Sequence, residues 1–284
     1  MSDAARVAEV FLEAARLNRE DELRQGSLLA LPNYGQVVMT GDLHGHRRNF
    51  DKLQQYCGLE HAGARHVILH ELIHEDVASL TAADTSHEML LAAAQWKWEF
   101  PDQVHFLQSN HELAQLNRHE ITKNGRPVTL AFEDGVARAY GKGAGQVLDA
   151  IDEFIRSHPL AARSANRVFF SHSLPNSRDL PAFDPAELMR PPEAKDLVEC
   201  GVGHLLVWGR YQNEAAIATL RELLDVDFFI CGHQPQESGY DVLHDCMVIL
   251  ASDHNHGVFL PVDLNRPVTL AGLVKSIRPF AGVM

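Results

Sequence analysis

Short apolar runs punctuate this chain, and each stops against a polar block. Gln36-Val37-Val38-Met39-Thr40 enters Gly41-Asp42, and Arg65-His66-Val67-Ile68-Leu69 enters His70-Glu71. Gln103 to Leu107, Arg167 to Phe170, Val226 to Ile230 and Met247 to Leu250 repeat the form ahead of Ser109-Asn110, Ser171-His172, Gly232-His233 and Ser252-Asp253. Their β-branched and aromatic content predicts strands. Between the earlier runs, residues 49–56, 86–99 and 145–156 read as helices, and Val7, Val10, Phe11 and Ala14 fall at helical spacing behind a Ser2-Asp3 cap. The alternation predicts an α/β protein with layered sheets, richer in strands toward its end.

The chain contains neither an internal repeat nor a low-complexity tract. Five prolines crowd residues 174–193, which read as a surface loop and not a hinge. We therefore expect one domain over residues 1–284, with a helical extension at 1–30 and a core at 37–263. With 284 residues, 45% of them hydrophobic, the chain can bury a sizeable core. Lys and Arg total 25 against 38 Asp and Glu, a net charge of −13, which disfavours nucleic acid and anionic membranes as partners. The N-terminal residues lack a basic segment leading into an apolar one, and no apolar run is long enough to span a bilayer. The expectation is a cytoplasmic protein whose four cysteines, without C-x-x-C spacing, are reduced and mostly packed.

Six blocks carry the chemistry: Gly41-Asp42-Leu43-His44-Gly45-His46, His70-Glu71, Ser109-Asn110-His111-Glu112, Ser171-His172, Gly232-His233 and Asp253-His254-Asn255-His256. Taken singly, each has an ordinary structural reading. Gly41 to Gly45 suits a tight turn, Asn110 suits a helix cap, and His172 or His233 suits a packed core position. Taken together at the ends of separate strands, they describe a loop-built site for hard or borderline metal ions.

In that order the blocks resemble the signature motifs of calcineurin-like metallophosphoesterases. Asn117-Arg118, Leu205-Leu206-Val207-Trp208, Gly239-Tyr240 and Ala251-Ser252-Asp253-His254-Asn255 further resemble the phosphoprotein (Ser/Thr) phosphatase branch. The resemblance implies two stacked mixed β-sheets flanked by helices, with the site at strand ends. It implies that Asp42 and His44 hold one divalent cation, that Asn110, His172 and His233 hold another, and that Glu71 bridges them, the ions being Mn, Fe or Zn. It implies hydrolysis of a phosphate monoester, on a phosphorylated protein or a small molecule, by a metal-bridging hydroxide with His111 as general acid.

The second motif departs from the family pattern. Where that pattern has Gly-Asp-x-x-Asp-Arg-Gly, this chain reads His70-Glu71-Leu72-Ile73-His74-Glu75-Asp76. The bridging Asp becomes Glu71, the Asp that orients the general-acid histidine becomes His74, and the phosphate-gripping Arg becomes Glu75, which would repel a dianion unless it turns away or binds a cation itself. Arg210 and Arg47 are the candidate replacement cations. The resemblance gives His70 no role as a ligand. Two other readings follow from the same stretch. One is a catalytically impaired, metal-binding relative. The other is a zinc hydrolase of the H-E-x-x-H type, since His70 to His74 match that string and Leu69, Leu72, Ile73, Val77 and Leu80 fall at helical spacing.

Overall fold

A computed structural model describes residues 3–76, 82–123 and 125–283. Its larger sheet has the order β1 (Arg24–Gln25), β2 (Leu28–Leu31), β8 (Ala161–Ser164), β9 (Val168–Ser171), β10 (Phe228–Cys231), β12 (Met247–Leu250) and β11 (Tyr240–Leu243). The second sheet runs β14 (Arg278–Pro279), β13 (Val258–Asp263), β3 (Gln36–Thr40), β4 (Arg65–Leu69) and β5 (Val104–Phe106). A small ribbon pairs β6 (Thr122–Lys123) with β7 (Arg126–Pro127). Both large sheets are mixed: β3, β4 and β5 are parallel, as are β9, β10 and β12, while β13 and β11 run against their neighbours.

Alternation along the central strands shows why these runs are apolar throughout. Val37, Met39, Ile68, Val168, Phe170, Ile230, Val248 and Leu250 share one cluster with Leu260 and Val262, which fills the space between the sheets. Their sequence neighbours Val38, Val67, Leu69, Phe169, Phe229 and Ile249 point the other way, into a cluster shared with the helices. With helices on one face and a sheet on the other, these strands are buried on both faces beyond their first residues. The helices are α1 (Asp3–Arg19), α2 (Arg47–Cys57), α3 (Ser86–Glu99), α4 (Asn110–Leu116), α5 (Val128–Tyr140), α6 (Ala144–Arg156), α7 (Val202–Trp208), α8 (Glu214–Leu224) and α9 (Leu270–Ser276). The expected strands and helices appear within a few residues of their predicted bounds. Ser2, offered as a cap for α1, lies outside the described residues.

Residues 70–76 form a loop. Glu71 and His74 have φ of 51° and 63°, so the helical face that an H-E-x-x-H zinc site requires is absent there. Val77 and Leu80, part of that helical spacing, lie outside the described residues. The proline-rich stretch 174–193 carries only short 3₁₀ turns, Leu180–Ala182 and Pro185–Met189. Among the described residues no helix is long and apolar enough to cross a membrane.

Candidate active site

The carboxyl ends of β3, β4, β5, β9, β10 and β12 lie together, because the parallel strands of each sheet run the same way and a parallel bridge between Asp42 and Ala251 joins the end of β3 to that of β12. Asp42 leaves β3, Glu71 leaves β4, Asn110 opens α4 behind a Ser109 cap, His172 follows β9, and His233 follows β10. Turns at these strand ends need unusual backbone: His44 and His233 have φ of 42° and 68°. Gly232 has no room for a side chain. A Cβ there would stand 2.3 Å from Asp42 Oδ1 and 2.6 Å from His70 Cε1.

One group of donor atoms gathers around His172 Nε2. Asn110 Oδ1 lies 2.6 Å away, His233 Nδ1 3.1 Å and Glu71 Oε2 3.7 Å, with 2.9 Å between Asn110 Oδ1 and His233 Nδ1. Donors that share a cation at about 2.1 Å sit about 3.0–3.4 Å from one another, so this spacing fits an ion in their midst. Glu71 Oε1 faces a second group, 3.6 Å from both His44 Nε2 and His111 Nε2. Asp42 Oδ1 is 3.7 Å from His172 Nδ1 and accepts the His233 backbone N–H at 2.8 Å. All of these residues are buried.

The electrostatics point the same way. Burial, with Asp253 and Glu112 adding to it, pushes the Asp42 carboxyl up to about 7. Burial and the charges of Asp42 and Glu112 push Glu71 well above the usual carboxylate range. Burial also holds the imidazoles of His44, His111 and His172 well below their ordinary value and brings His233 down to about 3. Neutral imidazoles beside crowded carboxyls that resist ionisation are a setting that a positive ion among them would relieve. The residues present therefore fit a metal centre.

His111 is wired from behind. Its Nδ1 is 2.8 Å from His74 Nδ1, and His74 Nε2 is 3.0 Å from Gln115 Oε1. Gln115 is itself oriented by donating its amide to Glu133 at 3.2 Å, which leaves the carbonyl facing His74. His74 thus occupies the orienting position that the resemblance assigns to an aspartate.

Glu75 turns away: its Oε2 accepts from the backbone N–H of Thr85 at 3.0 Å and from the Thr85 hydroxyl at 2.9 Å, just ahead of α3. Arg210 is at the site, its Nε donating to His233 Nε2 at 3.0 Å. Arg47 opens α2 and pairs with Asp51 in an exposed ion pair. His254 bonds the carbonyl of Gln236. Sequence reasoning did not find Gln115 or Lys123, and it placed His70, whose ring lies against His172, only in the H-E-x-x-H alternative. Lys123 pairs loosely with Asp76 at 4.0 Å, and its charge reaches Asp42, His44 and His111. No motif marks Gln115 or Lys123, because their roles come from the placement of α4 and the β6–β7 ribbon.

Beside the cluster runs a groove of about 600 Å³ lined by Leu113, Asn117, Arg118, His119, His204 and Trp208. The Trp208 ring lies 6.4 Å from that of His233.

Comparison with known proteins agrees with this fold. A yeast (Saccharomyces cerevisiae) serine/threonine phosphatase with similarity to human phosphatase PP5 shares the fold, with a TM-score of 0.71 at 14% identity, covering 99% of this chain and 94% of that one. A cold-active protein-tyrosine phosphatase of a psychrophilic Shewanella follows at 0.58 and 16% identity, covering 93% and 84% of the two chains. In sequence the chain is 23% identical over 222 residues to a serine/threonine-protein phosphatase of Caenorhabditis elegans, a match spanning 73% of this chain and 44% of that protein, less than half its length. The profile of the calcineurin-like phosphoesterases matches residues 35–237, most of the chain and the stretch from Asp42 to His233 that builds the site, and the protein belongs to that family.

Proposed function

We propose that the protein is a metal-dependent phosphatase that hydrolyses phosphate monoesters, with phosphoserine or phosphothreonine in a protein as the substrate class. The observation that carries this reading is the convergence of Asn110 Oδ1, His172 Nε2, His233 Nδ1 and one Glu71 oxygen, while the other Glu71 oxygen faces His44 and His111. Two groups that share one carboxylate suit two divalent cations of the Mn, Fe or Zn kind. Asp42, His44 and Glu71 would hold one, and Asn110, His172, His233 and Glu71 the other. Bound there, the cations supply Lewis acidity that lowers the pKa of water and offsets charge on the transferred phosphoryl group.

The remaining work belongs to the chain. His111 Nε2 faces the shared carboxylate, and because the ring's own hydrogen is held at Nδ1, it would give a proton to the leaving alkoxide only after taking one up at Nε2 from the water that becomes the nucleophile. His74 holds that ring by accepting its Nδ1–H, since the Nε2–H of His74 is committed to Gln115. Arg210 brings a guanidinium to the rim; a cation on His233 Nδ1 would leave that ring's hydrogen on Nε2, so the Arg210 side chain would turn from Nε2 to make a bidentate contact with phosphate oxygens. Because Glu75 is tied to Thr85, its charge does not oppose a dianion. The groove beside Trp208 gives the leaving group's neighbouring residues a place to lie, which favours a peptide over a bare small molecule.

The test is hydrolysis of p-nitrophenyl phosphate, its bis-ester and a phosphothreonine peptide by protein reloaded with Mn²⁺, Fe²⁺ or Zn²⁺. Monoester and peptide turnover is expected. Preference for the diester would contradict the substrate class, and full metal binding without turnover would identify the impaired relative instead.

A further inference from the structure

His70 stands where the family motif has glycine, and its imidazole is wholly buried between Thr40 and His172. With a cation held by Asn110, His172 and His233 as proposed above, the proton count around it follows. The Thr40 carbonyl, 2.8 Å from His70 Nε2, accepts and cannot donate, so Nε2 carries the ring's hydrogen. A neutral imidazole then has only a lone pair at Nδ1. That lone pair faces His172 Nδ1 at 2.9 Å, and two lone pairs at this separation repel, so His172 Nδ1 must be the protonated partner. A doubly protonated His70 would be a buried cation whose nearest carboxylate oxygen, Asp42 Oδ1, is 3.8 Å away, beyond hydrogen-bond reach.

The consequence falls on the other nitrogen of His172. With its one proton held at Nδ1, Nε2 presents a lone pair that a cation shared with Asn110 Oδ1 at 2.6 Å and His233 Nδ1 at 3.1 Å would take up. We propose that His70 is a positioning residue that fixes the tautomer and ring orientation of His172, so that Nε2 is the atom offered to a divalent cation. This rests on the ligand assignment proposed above. His70 is not itself a ligand, because its Nδ1 lone pair is already occupied by the His172 proton. Gly232 is the complementary feature, since a Cβ there would strike the His70 ring.

The same wiring occurs twice. His74 anchors its Nε2–H on Gln115 and takes the His111 Nδ1–H, as His70 anchors on Thr40 and takes the His172 Nδ1–H. Both histidines of the divergent second motif thus set the state of a second histidine. A histidine ligand whose rear N–H is held by an acceptor binds metal more tightly, and loss of that acceptor costs about 10–100-fold in affinity.

The experiment combines nitrogen-15 spectra of the Zn²⁺-loaded full chain with Zn²⁺ calorimetry on His70→Phe and His70→Asn. Phe keeps ring volume without an acceptor. Asn places an amide oxygen near the position of Nδ1. The wild-type spectrum is expected to show a proton on His172 Nδ1, coupled across its hydrogen bond to an unprotonated His70 Nδ1. Calorimetry is expected to show one zinc equivalent weakened about 10–100-fold in His70→Phe and largely recovered in His70→Asn. Zinc bound to His70 Nδ1, a proton on that atom, or unchanged affinity in His70→Phe would each overturn the proposal. The wild-type spectrum decides independently of whether any variant folds. Failure to turn over phosphoesters leaves these readouts intact, whereas failure to bind zinc at all would first overturn the ligand assignment.

Discussion

Replacing Asp42 by Asn should have opposite effects on stability with and without metal. In the metal-free protein, burial and the nearby carboxylates raise the Asp42 carboxyl to about 7 from an unfolded value of 3.8. A folded pKa above the unfolded one means stability that is complete below pH 4 and lost as pH rises through 7. At about 1.4 kcal/mol per unit the full loss is on the order of 4 kcal/mol, of which about 2–3 falls between pH 5 and 7.5. The amide that replaces the carboxyl in Asp42→Asn does not titrate in this range. The surrounding histidines titrate in both proteins, so their contribution cancels in the difference to first order. Urea unfolding after exhaustive chelation should therefore show Asp42→Asn gaining on wild type as pH rises from 5 to 7.5. Saturating Zn²⁺ or Mn²⁺ should reverse the order at pH 7.5, because the ionised carboxylate then has its cation. Parallel stability profiles for the two chelated proteins would refute the claim that Asp42 is held against its ionisation.

The other side chains make separable predictions. Gln115→Leu removes the acceptor that fixes His74 and should lower kcat about tenfold with KM little changed, in steady-state assays on a monoester. Arg210→Ala should instead raise KM and weaken inhibition by inorganic phosphate about tenfold or more, as should Lys123→Met to a smaller degree; equal inhibition of wild type and both variants would remove these cations from the substrate site. Glu75→Ala should destabilise the start of α3 by about 1 kcal/mol in urea melts while leaving KM unchanged, since its carboxylate caps Thr85 and not the phosphate site.

Much of the scaffold was legible because the central strands are buried on both faces and so read as unbroken apolar runs. Val37 to Met39 and Val168 to Phe170 are examples, each ending where the chain turns polar. The candidate site was legible for a similar reason, since Asp42, Asn110, His172 and His233 each follow such a run and the fold brings them together. What local pattern did not give was the conformation of residues 70–76, where helical spacing competes with a loop that needs positive φ at Glu71 and His74. Nor did it give the direction of Glu75, because a charge reversed in sequence says nothing of where the side chain points. His70 looked incidental for the same reason. Its partners, Thr40 and His172, lie 30 and 102 residues away and meet only after both sheets have formed.

The central claim is that five strand ends assemble one metal-dependent phosphatase site. It is tested most directly by metal content and monoester turnover measured together on wild type, His172→Ala and His233→Ala. Two metal equivalents in wild type, about one in each variant, and turnover lost with the missing equivalent would meet the prediction. Full metal content and near-normal turnover in His233→Ala would contradict it.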